Sequence, residues 1–268
     1  MENLLCQWDL IKNRIKGKNI SLFLDYDGTL APIVEQPEDA IMSSEMRDML
    51  SFISTVPGVI VSIISGRSIE DIARRVNIPE IIYVGNHGLQ IRGETTGLKD
   101  FVPTAYQAVI SEISGKLKDA VGRVDGVFAE NKFLTLSCHY RLVSDENVSY
   151  VKSLFEAVVA PYVKAGQVYV VEGKKVLEVR PSVGWDKGKA VLWLLDRRLL
   201  GNNKEAISIY IGDDVTDIDA FKVLQDKGIT VWVGTEPKFS TGYFLKDTFE
   251  VIEFLEKLMA LLLSREEV

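Results

Sequence analysis

Two carboxylates two residues apart, Asp25 and Asp27, follow the apolar run 20–24 and precede Gly28 and Thr29. An apolar run closed by Asp and Gly reads as a buried strand ending in a tight loop. Comparable polar groups close other apolar runs: Ser65 after 59–64, and Asp213 with Asp214 after 207–211. Asp217 stands one turn further on, and Lys187 opens a helical stretch. In a parallel sheet the strand C-terminal ends share one edge, so these distant residues converge on one crevice. Carboxylates crowded there repel one another unless a cation compensates them. Oxygen donors without His or Cys favour a hard divalent ion, Mg2+. In that company Asp25 suits a nucleophile, kept ionised by the metal and by Lys187. Asp27 suits proton transfer to a leaving alkoxide and from water. Ser65, Lys187 and loop N–H groups suit the charge of a transferring phosphoryl group.

The elements that must position these groups follow in order. Leu4, Leu5, Trp8, Ile11 and Ile15 give a short helix before strand 20–24. Residues 31–40 are Pro- and acid-rich, a loop over the site. Met46, Met49, Leu50 and Ile53 mark a helix after Ser43 or Ser44. Strand 59–64 leads to Ser68 and Asp71 in capping-box spacing, then to strand 81–84 and Gly85-Asn86-His87-Gly88. Strand, helix, strand, helix, strand is the opening of a parallel α/β sheet. The pattern then becomes helix, two strands, helix, two strands, which reads as a small inserted α+β domain. Strands are expected at 127–129 and 133–140, and a hairpin about Glu172-Gly173-Lys174-Lys175. The expected division is a core of 1–88 and 183–268 and an insert of 89–182. After it come helix 187–199, strand 207–211, a helix through Phe221, strand 229–233 and a last helix capped by Asp247 and Glu250.

Composition agrees with a globular protein of one large or two modest domains. The chain has 268 residues, 47% hydrophobic and 26% charged. A net charge of -7 argues against nonspecific nucleic-acid binding. Cys6 and Cys138 are too few and too far apart for a metal cluster or a disulfide scaffold, and read as small buried hydrophobes in a reducing compartment. No stretch approaches a membrane span or a leader peptide, so a cytoplasmic protein without membrane partners is expected.

The motifs DYDGT, Ser65, Lys187 and GDDxTD together resemble the haloacid dehalogenase-like phosphatases. LDYDGTLAPIV, ISGR, GNHGLQI, SCHYR, EVRPSVGWDKGKAV and IYIGDDVTDIDAF, running from residue 24 to 221, narrow the resemblance to the trehalose-6-phosphate phosphatase family. The resemblance implies a Rossmann-like core with strand order 5-4-1-2-3 and an inserted α+β cap of the C2 type. It implies Mg2+-dependent hydrolysis of a sugar phosphate through an aspartyl-phosphate on Asp25, with Asp27 as general acid/base. Ser65 and Lys187 would hold the phosphoryl group. Asp213 would ligate the metal with the Asp25 carboxylate and the Asp27 carbonyl, supported by Asp214 and Asp217. Ile218 stands where the family usually has an acidic residue. A separate trehalose-6-phosphate synthase would be a pathway partner.

Polar residues interrupt the insert's apolar strands, and the resemblance makes them sugar contacts in a cap that closes on substrate: Glu130, Lys132 and Glu178 first, then His139, Arg141, Lys174 and Arg180. The alternative for each is a solvated strand edge. Arg67 reads as a phosphate or hinge ligand, or as an ion-pair residue at a helix start. Asn86 and His87 stand near the hinge, and His87 has no partner ligand nearby in sequence for a metal. Trp185 reads as packing rather than a sugar platform. Two other functions remain on the sequence alone: a phosphatase for another sugar phosphate, such as sucrose 6-phosphate or mannosyl-phosphoglycerate, and a non-catalytic sensor. The intact Asp25, Asp27, Lys187 and Asp213 argue against a sensor.

Overall fold

The computed structural model describes residues 1–173, 175–197 and 205–264. The chain divides into two units, Met1–Lys99 with Asp186–Val268, and Asp100–Trp185.

The first unit begins with β1 (Glu2–Asn3), α1 (Trp8–Ile15), β2 (Asn19–Leu24), α2 (Ser44–Thr55), β3 (Val59–Ile64), α3 (Ile69–Val76), β4 (Ile82–Gly85), β5 (Gln90–Gly93) and β6 (Gly97–Asp100). Every residue of β2 is buried. That is why its sequence is a continuous apolar run rather than an alternation: it lies mid-sheet with both faces covered. Ser43 Oγ accepts from Met46 N at 3.1 Å and starts α2, whose Met46, Met49, Leu50 and Ile53 are buried. Ser68 Oγ accepts from Asp71 N at 3.2 Å and starts α3. These hydroxyls satisfy donors that the first helical turn leaves open.

The second unit comprises α4 (Ala105–Val121), β7 (Phe128–Asn131), β8 (Leu136–His139), α5 (Asp145–Lys164), β9 (Val168–Gly173) and β10 (Val176–Pro181). Its four strands form an antiparallel sheet in the order β7-β8-β10-β9. Ile110, Ile113 and Leu117 of α4 and Val151, Phe155 and Val159 of α5 share a core with Leu136, Cys138, Leu177 and Val179 of the sheet. Trp185 stacks on Phe101, ring centroids 4.0 Å apart, the packing role its sequence suggested.

The chain returns to the first unit with α6 (Lys187–Asp196), β11 (Ala206–Gly212), α7 (Ile218–Leu224), β12 (Gly228–Val233), β13 (Tyr243–Leu245) and α8 (Thr248–Leu263). The nine-stranded sheet runs β1-β13-β12-β11-β2-β3-β4-β5-β6. Its parallel centre, β12-β11-β2-β3-β4, is the expected order 5-4-1-2-3. The edge strands were not expected. β1 and β13 are two and three residues long, too short to show a period.

The expected break after residue 88 falls instead after Lys99, because Gln90–Gly93 turns back and pairs antiparallel with β4. The return falls at Asp186 rather than 183. Strand β8 ends at His139, so Arg141 lies in the following turn and not on a strand face with His139. Cys138 is buried, its thiol pushed up to about 11 by burial, but Cys6 is exposed, unlike the buried role expected of it. Among the described residues no helix is long and apolar enough to cross a membrane.

Candidate active site

Lys187 is the junction of the site. Asp186 caps α6 by accepting from Lys189 N at 2.8 Å, which places Lys187 at the first helical position. Its Nζ donates to Asp25 Oδ1 at 2.7 Å and to Asp217 Oδ1 at 2.7 Å. All three side chains are buried. Burial alone would lower the Lys187 pKa, but the Asp217 and Asp25 carboxylates hold it above its ordinary value. Burial, opposed by Lys187 and reinforced by Asp217 and Asp213, pushes the Asp25 carboxyl well up. A cation among these carboxylates acts in the opposite direction, toward the ionised form that a nucleophile requires.

Asp217 accepts three hydrogen bonds. Its Oδ1 also accepts from the Tyr210 hydroxyl at 2.7 Å, and its Oδ2 from Asp214 N at 3.0 Å. Tyr210 is a residue that the sequence reading missed, because a tyrosine inside an apolar strand run carries no separate signal. The Asp214 carboxylate serves in the cap of the short 3-10 turn Val215–Asp217.

Asp27 faces a different partner. Arg67 Nε donates to its Oδ2 at 2.8 Å and Nη2 to its Oδ1 at 2.6 Å, a two-pronged pair. Arg67 Nη1 donates to Asp71 Oδ2 at 2.9 Å, and Nη2 also to Pro37 O at 2.8 Å in the 31–40 loop. The guanidinium thus faces Asp27 and Asp71, the ion-pair reading of Arg67. Asp71 was read only as a helix-start residue. Its carboxylate also accepts from Arg74 and Arg75 at 2.6 and 2.8 Å. Burial works against ionisation, but Arg75, Arg67 and Arg74 bring its pKa down to about 2. Ser65, buried at the end of β3, accepts from Arg67 N at 3.1 Å through Oγ. That bond leaves the hydroxyl proton available to a phosphoryl oxygen.

Asn86 and His87 form a strained turn after β4. Both adopt the left-handed conformation, at φ 50° and 57°. His87 N donates to Ser65 O at 3.0 Å and Asn86 N to Arg67 O at 2.7 Å, while the buried Asn86 side chain donates to Gln90 Oε1 at 3.0 Å. The turn therefore ties the ends of β3 and β4 together.

The second unit gathers five of its expected residues on one face of its sheet. Arg180 donates to Glu178 Oε2 through Nε at 2.9 Å and Nη2 at 2.6 Å. Lys132 Nζ is 3.5 Å from Glu178 Oε1 and 3.9 Å from Glu130 Oε2. His139 Nε2 is 3.1 Å from Glu130 Oε2. Arg141 lies in the turn after β8, and Lys174 lies outside the described residues.

Among the described residues, Asp25, Asp213 and Asp217 form the group able to hold a metal ion, their ligand oxygens within 4.8 Å of one another. The donor set is all carboxylate, the chemistry of a hard divalent cation. Gly28, at φ 89°, makes room for it: a Cβ there would collide with the Asp213 carboxylate. The residues present fit a divalent metal. Asp214 is outside this group, and its carboxylate serves in the cap of the turn.

A doubly wound core whose strand ends present Asp25, Asp27, Ser65 and Asp213, with Lys187 at the start of α6, defines a haloacid dehalogenase-like hydrolase. A chain from Bacteroides thetaiotaomicron described by that name shares the fold, with TM-score 0.63 over 90% of this chain and 100% of its own at 19% identity. The trehalose-phosphatase family model matches residues 23–247. Trehalose-phosphate phosphatase B of Arabidopsis thaliana is 37% identical over 268 residues, covering 95% of this chain and 70% of its own length. The C-terminal domain of C. albicans trehalose-6-phosphate phosphatase superposes with TM-score 0.80 at 25% identity, covering 94% of this chain and 97% of its own. The chain belongs to the trehalose-phosphatase family and is a phosphatase.

Proposed function

We propose that the protein hydrolyses trehalose 6-phosphate to trehalose and phosphate, with Mg2+ bound at Asp25 and Asp213 and the Asp27 carbonyl. The observation that carries this reading is Lys187 Nζ at 2.7 Å from Asp25 Oδ1, a buried cation beside a carboxylate at the end of the central strand. Mg2+ would supply charge neutralisation for the phosphoryl oxygens. Asp25 attacks phosphorus as the ester P–O bond breaks, and Asp27 gives its proton to the departing sugar alkoxide. A water molecule then attacks phosphorus, Asp27 takes its proton, and the bond from Asp25 to phosphorus breaks, restoring both residues. Lys187 and the Ser65 hydroxyl hold the phosphoryl oxygens. Arg67 orients Asp27, and Asn86 with His87 fixes the loop that carries Ser65. Asp214 and Asp217 act on the metal site indirectly, through the turn and through Lys187.

The second unit supplies sugar recognition through Glu130, Lys132, His139, Glu178 and Arg180, with Arg141 and Lys174 as further contacts. A trehalose-6-phosphate synthase is the activity that would supply the substrate. Two free cysteines fit a reducing, cytoplasmic setting. A panel of trehalose 6-phosphate, sucrose 6-phosphate and glucose 6-phosphate tests the assignment. The highest kcat/KM is expected for trehalose 6-phosphate, and a higher value for another member overturns it. Asp25→Asn tests the covalent step: hydrolysis at the parent rate would rule it out.

A further inference from the structure

Phe128 is half exposed, an uncommon position for a phenylalanine inside a strand. It pairs in register with His139 across β7 and β8, so both side chains lie on the same sheet face. Their rings stack with centroids 5.7 Å apart and planes 27° from parallel. His139 continues to Glu130, two residues along β7 from Phe128 and hence on the same face. Lys132 links Glu130 to Glu178, which holds Arg180. Helices α4 and α5 pack on the opposite face.

The carboxylates of Glu130 and Glu178 face the cations of Lys132 and Arg180, so the cluster offers hydrogen-bond acceptors and donors side by side. That suits a neutral polyol better than a phosphate. A sugar ring also has an apolar C–H face, which the charged residues cannot serve. An aromatic ring beside convergent polar groups serves it.

We propose that Phe128 is a stacking platform for the sugar and a specificity-determining residue of the reaction. The inference rests on the sugar-phosphatase reading above. The polar cluster binds hydroxyl groups, and Phe128, braced by His139, selects ligands that present a sugar face. Small phosphomonoesters without such a face gain nothing from it.

The test compares the parent with Phe128→Ala, Phe128→Leu and Phe128→Trp on trehalose 6-phosphate and on glycerol 2-phosphate. Leucine keeps apolar bulk and strand character but removes the ring. For Ala and Leu, KM for trehalose 6-phosphate should rise about tenfold, the size of one stacking contact. The kcat should stay within about twofold and kinetics on glycerol 2-phosphate should not change, since only sugar binding is lost. Phe128→Trp should restore the parent KM. An unchanged KM in the Ala and Leu variants overturns the proposal, as does an equal loss on both substrates, which would mark a structural role. The parent separates this from the underlying reading. A parent that prefers glycerol 2-phosphate overturns the sugar assignment itself. A parent that prefers trehalose 6-phosphate, with variants that keep its KM, overturns the role of Phe128 alone.

Discussion

Lys187 Nζ stands 2.7 Å from Oδ1 of Asp25 and 2.7 Å from Oδ1 of Asp217, 162 and 30 residues away in sequence. One buried ammonium thus serves two buried carboxylates that the chain brings together from separate strands. Removing one partner of such a buried charge group leaves uncompensated charge, at a cost of about 3–5 kcal/mol. Lys187→Gln is therefore expected to lower the stability measured by urea unfolding by that order and to reduce kcat about a thousandfold or more. Retention of kcat within tenfold of the parent would place the phosphoryl group away from Lys187.

Gly28 and Asp213 are coupled by space. With a methyl group at Gly28, the Asp213 carboxylate must move, and the backbone must also hold φ 89° with a side chain. A metal that binds only the folded protein raises its stability by mass action. Adding millimolar Mg2+ should raise the Tm of the parent by several degrees, and EDTA should reverse the gain and abolish hydrolysis. Gly28→Ala and Asp213→Asn should lose most of the Tm response. A full response in Asp213→Asn would exclude Asp213 from the metal site.

Asp71 gives the protein an acid-sensitive brace. Its pKa in the folded chain, about 2, lies below the ordinary 3.8, because three arginine partners outweigh burial. A depressed carboxylate pKa stabilises the fold above the unfolded value and loses that contribution as pH falls. The contribution, about 2 kcal/mol, is complete above roughly pH 4 and disappears as pH falls through about 2. Asp71→Asn should lower stability at pH 7 by that amount and flatten the loss between pH 4 and pH 2. Equal slopes for parent and variant in that window would sink the argument. Arg67 also loses one of its two carboxylate partners in this variant, so a fall in kcat through a looser Asp27 is expected with it.

Much of this site was legible because its residues punctuate strands. Asp25, Ser65 and Asp213 each end an apolar run, and a parallel sheet puts all such ends on one edge. The order of the central strands followed from the family resemblance. The edges were not legible, since β1 and β13 are shorter than any period that could reveal them. The pairing of Arg67 with Asp27 spans 40 residues, and no spacing rule reaches that far. Asp71 had a readable signal, with arginines at i-4, i+3 and i+4, but its place in a capping box absorbed it. Tyr210 had none, because a half-polar aromatic is also a good strand former.

Tyr210 tests how Asp217 works. Its hydroxyl and Lys187 Nζ meet on the same oxygen, Asp217 Oδ1, and Asp214 N takes the other. Three donors on one buried carboxylate make Asp217 an anchor for Lys187. Burial first, then Asp217, Asp25 and Asp213, push the Tyr210 pKa well above its ordinary value, so the phenol remains a donor throughout the neutral range. Tyr210→Phe removes one oxygen atom from a packed position and keeps the ring contacts with Phe23 and Phe221. The buried carboxylate then lacks one donor, which costs about 1–3 kcal/mol. The position of Lys187 loosens with it, so kcat should fall about tenfold while KM stays near the parent value. On the proposed reading, in which Asp217 acts on the metal through Lys187, the Mg2+ concentration for half-maximal Tm response should not change. A large shift in that concentration for Tyr210→Phe or Asp217→Asn would show instead that Asp217 ligates the metal directly.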